Sequence, residues 1–192
     1  MTITRVGRIG AVAMLVVAVM TLGGGQASAN DDVTPPSVNL VTPAANANYG
    51  QNAVVHASYS CSDASGIAAC TGTAPNGGTI QTQTLGAHTF KVYAFDNAGN
   101  ETKLIRTYNV VDNTGPVVTI SNPTDGATYA RNSNQIAQFS CYDAGSGLAS
   151  CVGSVSNGSN LPTGTTGYKQ FSVTARDQAN NTTVKVVNYR VV

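Results

Sequence analysis

The chain has 192 residues and a formal net charge of +1 at pH 7, and only 10% of its residues are charged. The average soluble protein has roughly 25% charged residues. A protein so close to neutral lacks the basic field that binding to nucleic acids or to anionic membranes requires. Its length allows one ordinary domain or two small ones.

The first 29 residues have the three parts of a secretory signal peptide. Arg5 and Arg8 form the positive region, residues 9–22 form an apolar core, and Ala27 to Ala29 form a small-residue cleavage site. The apolar core is shorter than the roughly 20 residues that span a bilayer, so we expect cleavage and no membrane insertion afterwards. Removing two arginines takes the net charge from +1 to −1. We therefore predict a secreted, extracellular protein that is free or associated with the cell surface.

The remaining sequence contains two copies of one domain. The segment CSDASGIAAC, residues 61–70, returns as CYDAGSGLASC, residues 141–151, and further matches are spread evenly over both halves. This repeat predicts a first domain at residues 30–111, a linker at 112–115 and a second domain at 116–192.

The four cysteines lie in the exported part of the chain, where the compartment is oxidising. Of the three pairings that four cysteines allow, the repeat favours Cys61 with Cys70 and Cys141 with Cys151. A metal site with four thiolates is the alternative, but its paired ligands are normally separated by only a few residues. We expect two local disulfide bridges, too short along the chain to join distant strands, that stabilise two small cores.

Hydrophobic residues alternate with a period of two, which predicts β-strands. In the first copy the strands are expected near Ser37–Val41, Ala53–Cys61, Ala69–Thr73, Thr79–Thr84, His88–Asp96 and Thr102–Val111, and the second copy follows the same plan. In the last of these the alternation slips at Arg106, which predicts a β-bulge. So many short strands in so few residues favour a two-sheet antiparallel sandwich.

A longer motif, G-x-H-T-F-x-V-x-A-x-D-x-A-G-N, covers Gly86–Asn100 and returns in a looser form at Gly167–Asn181. Together with the domain openings D-x-T-x-P-x-V at Asp32 and Asp112, it resembles the last strands of bacterial immunoglobulin-like domains. The resemblance implies an all-β protein of two tandem antiparallel immunoglobulin-like sandwiches. Such modules serve as spacers, adhesins and carbohydrate-binding accessories, so the resemblance predicts the fold more sharply than the function. Asn180 replaces the glycine of the hairpin and should tolerate the left-handed turn.

The acidic residues favour turns. Asp96 and Asp177 each end a strand before an Asn-rich turn, and Asp63 and Asp143 lie between the paired cysteines. Asp commonly accepts hydrogen bonds from backbone amides in such places. We expect these four side chains to stabilise loops.

Calcium is the alternative for acids at the domain junction, because tandem extracellular β-domains often bind it there. The candidates are Asp112 and Asn113 in the linker and Glu101 on the hairpin of the first copy. Because these residues supply few charges, no cofactor is predicted, and calcium is kept as an alternative.

Catalytic groups are scarce. His56 and His88 occur only in the first copy and are replaced by Ile136 and Lys169 in the second. There is no G-x-S-x-G motif for a nucleophilic serine and no glycine-rich phosphate loop with lysine. We therefore predict that the protein is not an enzyme.

An aromatic surface is the remaining candidate for binding. Tyr93, Phe95 and Tyr108 could share a ligand face in the first copy, whereas Thr174 and Arg176 replace the first two in the second. The predicted function is extracellular binding, adhesion or structural spacing, with an extracellular protein or glycan as the partner. The alternatives are a carbohydrate-binding accessory module and a calcium-stiffened surface spacer.

Overall fold

The computed structural model describes residues 32–192, which form two β-sandwiches, one on each side of the predicted junction. The predicted signal peptide lies outside the described residues. Within them there is no helix that could cross a membrane. The predicted fold class, an all-β protein of two tandem and mainly antiparallel sandwiches, is confirmed.

The first copy contains six strands: β1 (Ser37–Thr42), β2 (Asn48–Gly50), β3 (Ser58–Ser62), β4 (Ile67–Gly72), β5 (Gly86–Asp96) and β6 (Glu101–Val111). One sheet has four strands in the order β2-β6-β5-β4, and the other consists of β1 and β3. All pairs are antiparallel except the short parallel pair of β2 with β6.

The second copy repeats this plan: β7 (Val117–Asn122), β8 (Ala127–Tyr129), β9 (Gln138–Tyr142), β10 (Leu148–Gly153), β11 (Gly167–Asp177) and β12 (Thr182–Val191). Its four-stranded sheet has the order β10-β11-β12-β8, and β7 pairs with β9. Again only the pair of β8 with β12 is parallel.

Alternation along the central strands places one face of each four-stranded sheet in the core. In β5, Phe90, Val92 and Ala94 are at most 1% exposed. The residues between them point to the outer face of the sheet, which is the face turned away from the core. Leu40 and Tyr59 pack onto the inner face from the two-stranded sheet.

Two predicted strand segments are irregular in the structure. Thr79–Thr84 contains only one isolated bridge, between His56 and Thr79, and the predicted strand Ala53–Cys61 begins as regular strand only at Ser58. The apolar alternation is nevertheless real, because Ile80 and Thr82 are both buried. Ile80 N donates to Val55 O, and the Thr82 hydroxyl donates to Ala53 O. These are separate hydrogen bonds to the opposite segment and not a continuous β-ladder.

The predicted bulge at Arg106 is wrong, because β5 and β6 pair without a shift in register. The slip in alternation has another cause. Arg106 lies on the inner side, where its guanidinium donates to Leu40 O and, at 3.2 Å, to Pro43 O. Its charged end therefore binds backbone carbonyls of the facing sheet.

Both predicted disulfide bridges are present, with Cα atoms 6.0 Å apart in the first copy and 5.9 Å apart in the second. The expectation that they are too local to join distant strands is wrong. Cys61 lies on β3 and Cys70 on β4, which belong to different sheets. Each bridge therefore links the two layers of its sandwich.

Candidate functional site

Three aspartates from separate segments meet in each copy. The first acid cluster is Asp32, Asp63 and Asp96, and the second acid cluster is Asp112, Asp143 and Asp177. In each, carboxylate oxygens lie within 4.8 Å of one another. The two clusters are equivalent in sequence, since each joins the domain opening, the loop between the cysteines and the end of the long central strand.

Asp96 and Asp177 each hold the hairpin turn that follows their strand. Asp96 accepts hydrogen bonds from the backbone and side-chain amides of Asn100, both at 2.8 Å, and Asp177 accepts the same two from Asn181, both at 2.7 Å. Burial disfavours the charge of Asp96, but these hydrogen bonds outweigh it and hold its pKa below the ordinary value. The prediction that these residues stabilise turns is consistent with this geometry.

Asp112 ties the linker to the second copy. One of its oxygens accepts from the amide and hydroxyl of Thr114, at 3.0 and 2.8 Å, and the other from the amide and hydroxyl of Ser146, at 2.8 and 2.7 Å. The backbone hydrogen bonds from Ser146 and Thr114 hold the pKa of Asp112 well below its ordinary value. All four lone-pair positions of the carboxylate are in use.

The hydrogen bonds in the first acid cluster follow a different pattern. There the Ser65 amide and hydroxyl both bond to Asp63, at 2.8 Å, and Asp32 Oδ2 is buried without a hydrogen-bond partner. The second copy has an extra residue, Gly145, in this loop. A Cβ at Gly145 would stand 2.5 Å from the Asp112 carboxylate, so only glycine lets the loop come close enough for Ser146 to reach it.

The predicted calcium set does not assemble. Glu101 begins β6 and Asp112 follows its last residue, so the two lie about 35 Å apart along an extended strand and cannot share an ion. The Asn113 side chain packs against Gly50 of the first copy, where a Cβ would meet it at 2.6 Å. Calcium needs six to eight oxygen ligands, and Asp112 could contribute only by giving up hydrogen bonds.

The two histidines bond to backbone carbonyls. His56 Nδ1 lies 2.9 Å from Gly77 O, and His88 Nε2 lies 2.8 Å from Thr84 O. His88 also borders an open cavity of about 450 Å³, whose other lining residues include Thr79, Gln81 and Thr89. No carboxylate, serine or cysteine lines this cavity, and the hydroxyl groups beside His88 come from threonines and from Tyr108.

Two of the three residues of the predicted aromatic face lie on the same face of the sheet. Tyr93 and Phe95 lie on the outer face of the first copy, where Phe95 is 37% exposed and Lys103 Nζ is 5.5 Å from the centre of the Tyr93 ring. Including Tyr108 was wrong. It is 2% exposed on the inner face, and its hydroxyl donates to Gln81 O at 2.8 Å.

The second copy has an aromatic residue on its outer face that the comparison of the two copies missed. Tyr168 is 82% exposed, and the Arg190 guanidinium lies 5.5 Å from the centre of its ring. Its counterpart in the first copy is Ala87, so reading the second copy for equivalents of Tyr93 and Phe95 could not find it. A search of each copy for aromatic residues at outward positions would have found it.

No protein-family model matches the chain, and no curated protein does. Among solved structures, the fibronectin(III)-like modules of Clostridium thermocellum CbhA are 15% identical, with a TM-score of 0.36, over 81% of this chain and 94% of that one. Drosophila N-cadherin EC1-4 is 16% identical, with a TM-score of 0.36, over 82% of this chain and 49% of that one. The D00-D0 domain of intimin is 13% identical, with a TM-score of 0.32, over 80% and 99%. These likenesses are too distant to assign a function.

Proposed function

We propose that the chain is a secreted, non-enzymatic protein of the extracellular space that acts as an adhesion or spacer module. The observation that carries this proposal is the use of the reactive side chains. In both copies the aspartates at the strand ends hold hairpin turns through the same two hydrogen bonds, and both histidines bond to backbone carbonyls.

The rest of the architecture supports a structural and binding role. Each small sandwich has a disulfide bridge between its layers, as is common in exported domains. The junction is short and anchored on both sides, by Asn113 against Gly50 and by Asp112 to Ser146. The surfaces free for contact with other molecules include the outer face of each four-stranded sheet, with Phe95 and Tyr168, and the two-stranded sheets, with Val117 and Tyr142.

The test begins with the location and redox state of the protein in the producing cell. We expect an extracellular or surface-bound product that starts near Asn30, whose intact mass is four hydrogens below that of the reduced chain. An intracellular product with free thiols would refute the proposal.

Purified wild-type protein is then added to envelopes of the same cell and to extracellular polymers. Binding that a double variant, Tyr93→Ala with Tyr168→Ala, weakens would support adhesion through the outer faces. An exported, bridged protein that binds neither material would support the spacer role. Cleavage of a polymer, seen as new chain ends or a falling molecular mass, would contradict the non-enzymatic part.

A further inference from the structure

We infer that the outer face around Tyr168 and Arg190 in the second copy binds an anionic polysaccharide. This inference rests on the proposed extracellular binding function and names the ligand class and the residues that would contact it. Tyr168 on β11 and Arg190 on β12 are direct cross-strand partners, and Gln170 and Asn188 are the next pair along the same two strands.

Each copy serves as a control for the other, because both have the same strands. At the positions of Tyr168 and Arg190 the first copy has Ala87 and Asn109, which also face each other across β5 and β6. The hairpin therefore forms without the aromatic and basic side chains. With its ring 82% exposed, Tyr168 contributes little to the core, and its structural contribution is limited to the cross-strand contact with Arg190.

The first copy has its own pair of this kind at another position. Tyr93 and Lys103 are direct partners across β5 and β6, and the second copy has Thr174 and Val184 there. The two aromatic and cationic pairs thus occupy different registers of equivalent hairpins. A ring beside a cation across two strands also stabilises a hairpin, so the experiment below separates binding from that structural role.

Charge on the outer faces selects an anionic partner. Lys91 and Lys103 project from the outer face of the first copy, and Arg176 and Arg190 from that of the second. The acids nearby are Glu101 on the first face and Asp125 at the edge of the second, where its Oδ1 accepts from Asn188 N at 2.8 Å. The acid clusters are held at the strand ends by hydrogen bonds. A chain with almost no net charge therefore presents two predominantly basic sheet faces.

The groups beside Tyr168 suit a sugar. An exposed ring can stack on the C–H face of a sugar ring, and a guanidinium can hold a carboxylate or sulfate through two parallel hydrogen bonds. The amides of Gln170 and Asn188 can bond to hydroxyl groups. A small hollow of about 80 Å³ adjoins the ring, lined by Gly126, Asn188, Tyr189 and Arg190 together with Tyr168. Val184 and Val186 are also exposed further along β12, so the experiment includes poly-glutamate to stand for an acidic protein partner.

The experiment measures the affinity of the whole mature protein for polygalacturonate and for its methyl ester, which has the same backbone without the charge. We expect binding to the acid form only, weakened by salt. Arg190→Gln and Tyr168→Ala should each weaken it at least roughly tenfold, since each removes one of the two principal contacts. Tyr168→Phe should retain most of it. Lys169→Gln is the matched control, because it removes one charge from the adjacent position, whose side chain points to the opposite face of β11 and donates to the Thr165 hydroxyl.

A gain of function gives a second readout. Replacing Ala87→Tyr and Asn109→Arg together should place the same pair on the first copy and raise retention on the immobilised polymer severalfold, because two linked sites bind one chain. Unchanged melting curves would show that the variants are folded.

Equal binding of the methyl ester, or undiminished binding by Arg190→Gln, would overturn the inference. If the wild-type protein binds poly-glutamate and the same variants lose that binding, the partner is an acidic protein, and this result too would overturn the inference. If polygalacturonate is not bound but cell envelopes are, this inference fails while the proposed function stands. If neither is bound, adhesion itself fails.

Discussion

Single residues show where the two copies have diverged within one framework. Tyr108 and Tyr189 occupy equivalent core positions, both 2% exposed, and each packs edge-on against a second tyrosine. The Tyr108 hydroxyl donates to Gln81 O, whereas the Tyr189 hydroxyl is buried without a partner. Burial raises the pKa of both phenols, so both remain neutral at physiological pH.

This difference predicts that the same substitution has different effects on stability in the two copies. Tyr108→Phe should cost the first copy about 1 kcal/mol, because it removes the hydrogen bond that the hydroxyl donates to Gln81 O. Tyr189→Phe should leave the stability of the second copy unchanged or raise it by up to about 1 kcal/mol, since it removes a buried hydroxyl that bonds to nothing. Urea titrations with hydrogen exchange, read separately for peptides of each copy, measure both. Equal losses in the two variants would contradict the prediction.

Among the structural elements, the disulfide bridges have a larger role than their spacing suggests. Each closes a short loop, with cysteines 9 and 10 residues apart, but joins a strand of the small sheet to an edge strand of the large one. A sandwich of this size buries only about 60% of its unfolded surface, so its core alone gives marginal stability.

Removing one bridge should therefore weaken one copy strongly. Replacing Cys61→Ala and Cys70→Ala together should lower the stability of the first copy by about 2–3 kcal/mol, as expected for a loop of this length. The second copy should keep its hydrogen-exchange protection, and the matched pair Cys141→Ala with Cys151→Ala should reverse the pattern. If either double variant destabilised both copies equally, the two sandwiches would be one cooperative unit.

The strands and bridges could be predicted because their signals are local or repeated. Alternation marked Phe90, Val92 and Ala94 as one face, and duplication selected the cysteine pairing. The three-residue strand β2 is too short for a periodic signal, and residues 79–84 alternate without forming a ladder. In that segment alternate side chains are buried although the backbone does not form a regular strand, and the periodicity of the sequence reports only the burial.

The acid clusters and the Tyr168–Arg190 pair could not be predicted, because they depend on strand register and on contacts between residues far apart in the sequence. Asp32, Asp63 and Asp96 are spread over more than sixty residues and meet only when three separate loops converge at one end of the sandwich. Arg190 becomes a neighbour of Tyr168 only once the pairing of β11 with β12 is known. Tyr108 was misplaced because its strand has the inward arginine that obscured the phase of the alternation.

For the whole molecule, the decisive feature is how the linker joins the copies. Asp112 was predicted to begin a linker, but its carboxylate receives both hydrogen bonds of Ser146 and its backbone carbonyl accepts from the Asn181 side chain at 3.2 Å. Asp112 thus packs as part of the second sandwich. Asn113, one residue later, packs against Gly50 of the first. We propose that the second domain begins at Asp112, and that this pair of neighbouring residues fixes the junction.

The Asp112 carboxylate should make the second copy sensitive to acid. Its pKa is held below the ordinary value of 3.8 by hydrogen bonds from Ser146 and Thr114. A lowered folded-state pKa means that the stabilisation is complete above the unfolded pKa, near pH 4, and is lost as the pH falls further towards the folded pKa. Asp112→Asn should cost the second copy about 1–3 kcal/mol at pH 7, because an amide NH₂ would face the donors of Ser146 or Thr114.

The difference in stability between wild type and Asp112→Asn should therefore be constant from pH 7 to about pH 5 and shrink below about pH 4. Hydrogen exchange or urea titration at each pH, read for peptides of the second copy, measures it. Asp32→Asn is the matched control, because Asp32 is the equivalent residue of the first copy. Asp32 accepts one hydrogen bond, from Thr34 at 2.9 Å, whereas Asp112 accepts four. It should affect the first copy less than Asp112→Asn affects the second. A difference that grew as the pH fell, or equal losses in the two variants, would show that Asp112 does not anchor the junction through its charge.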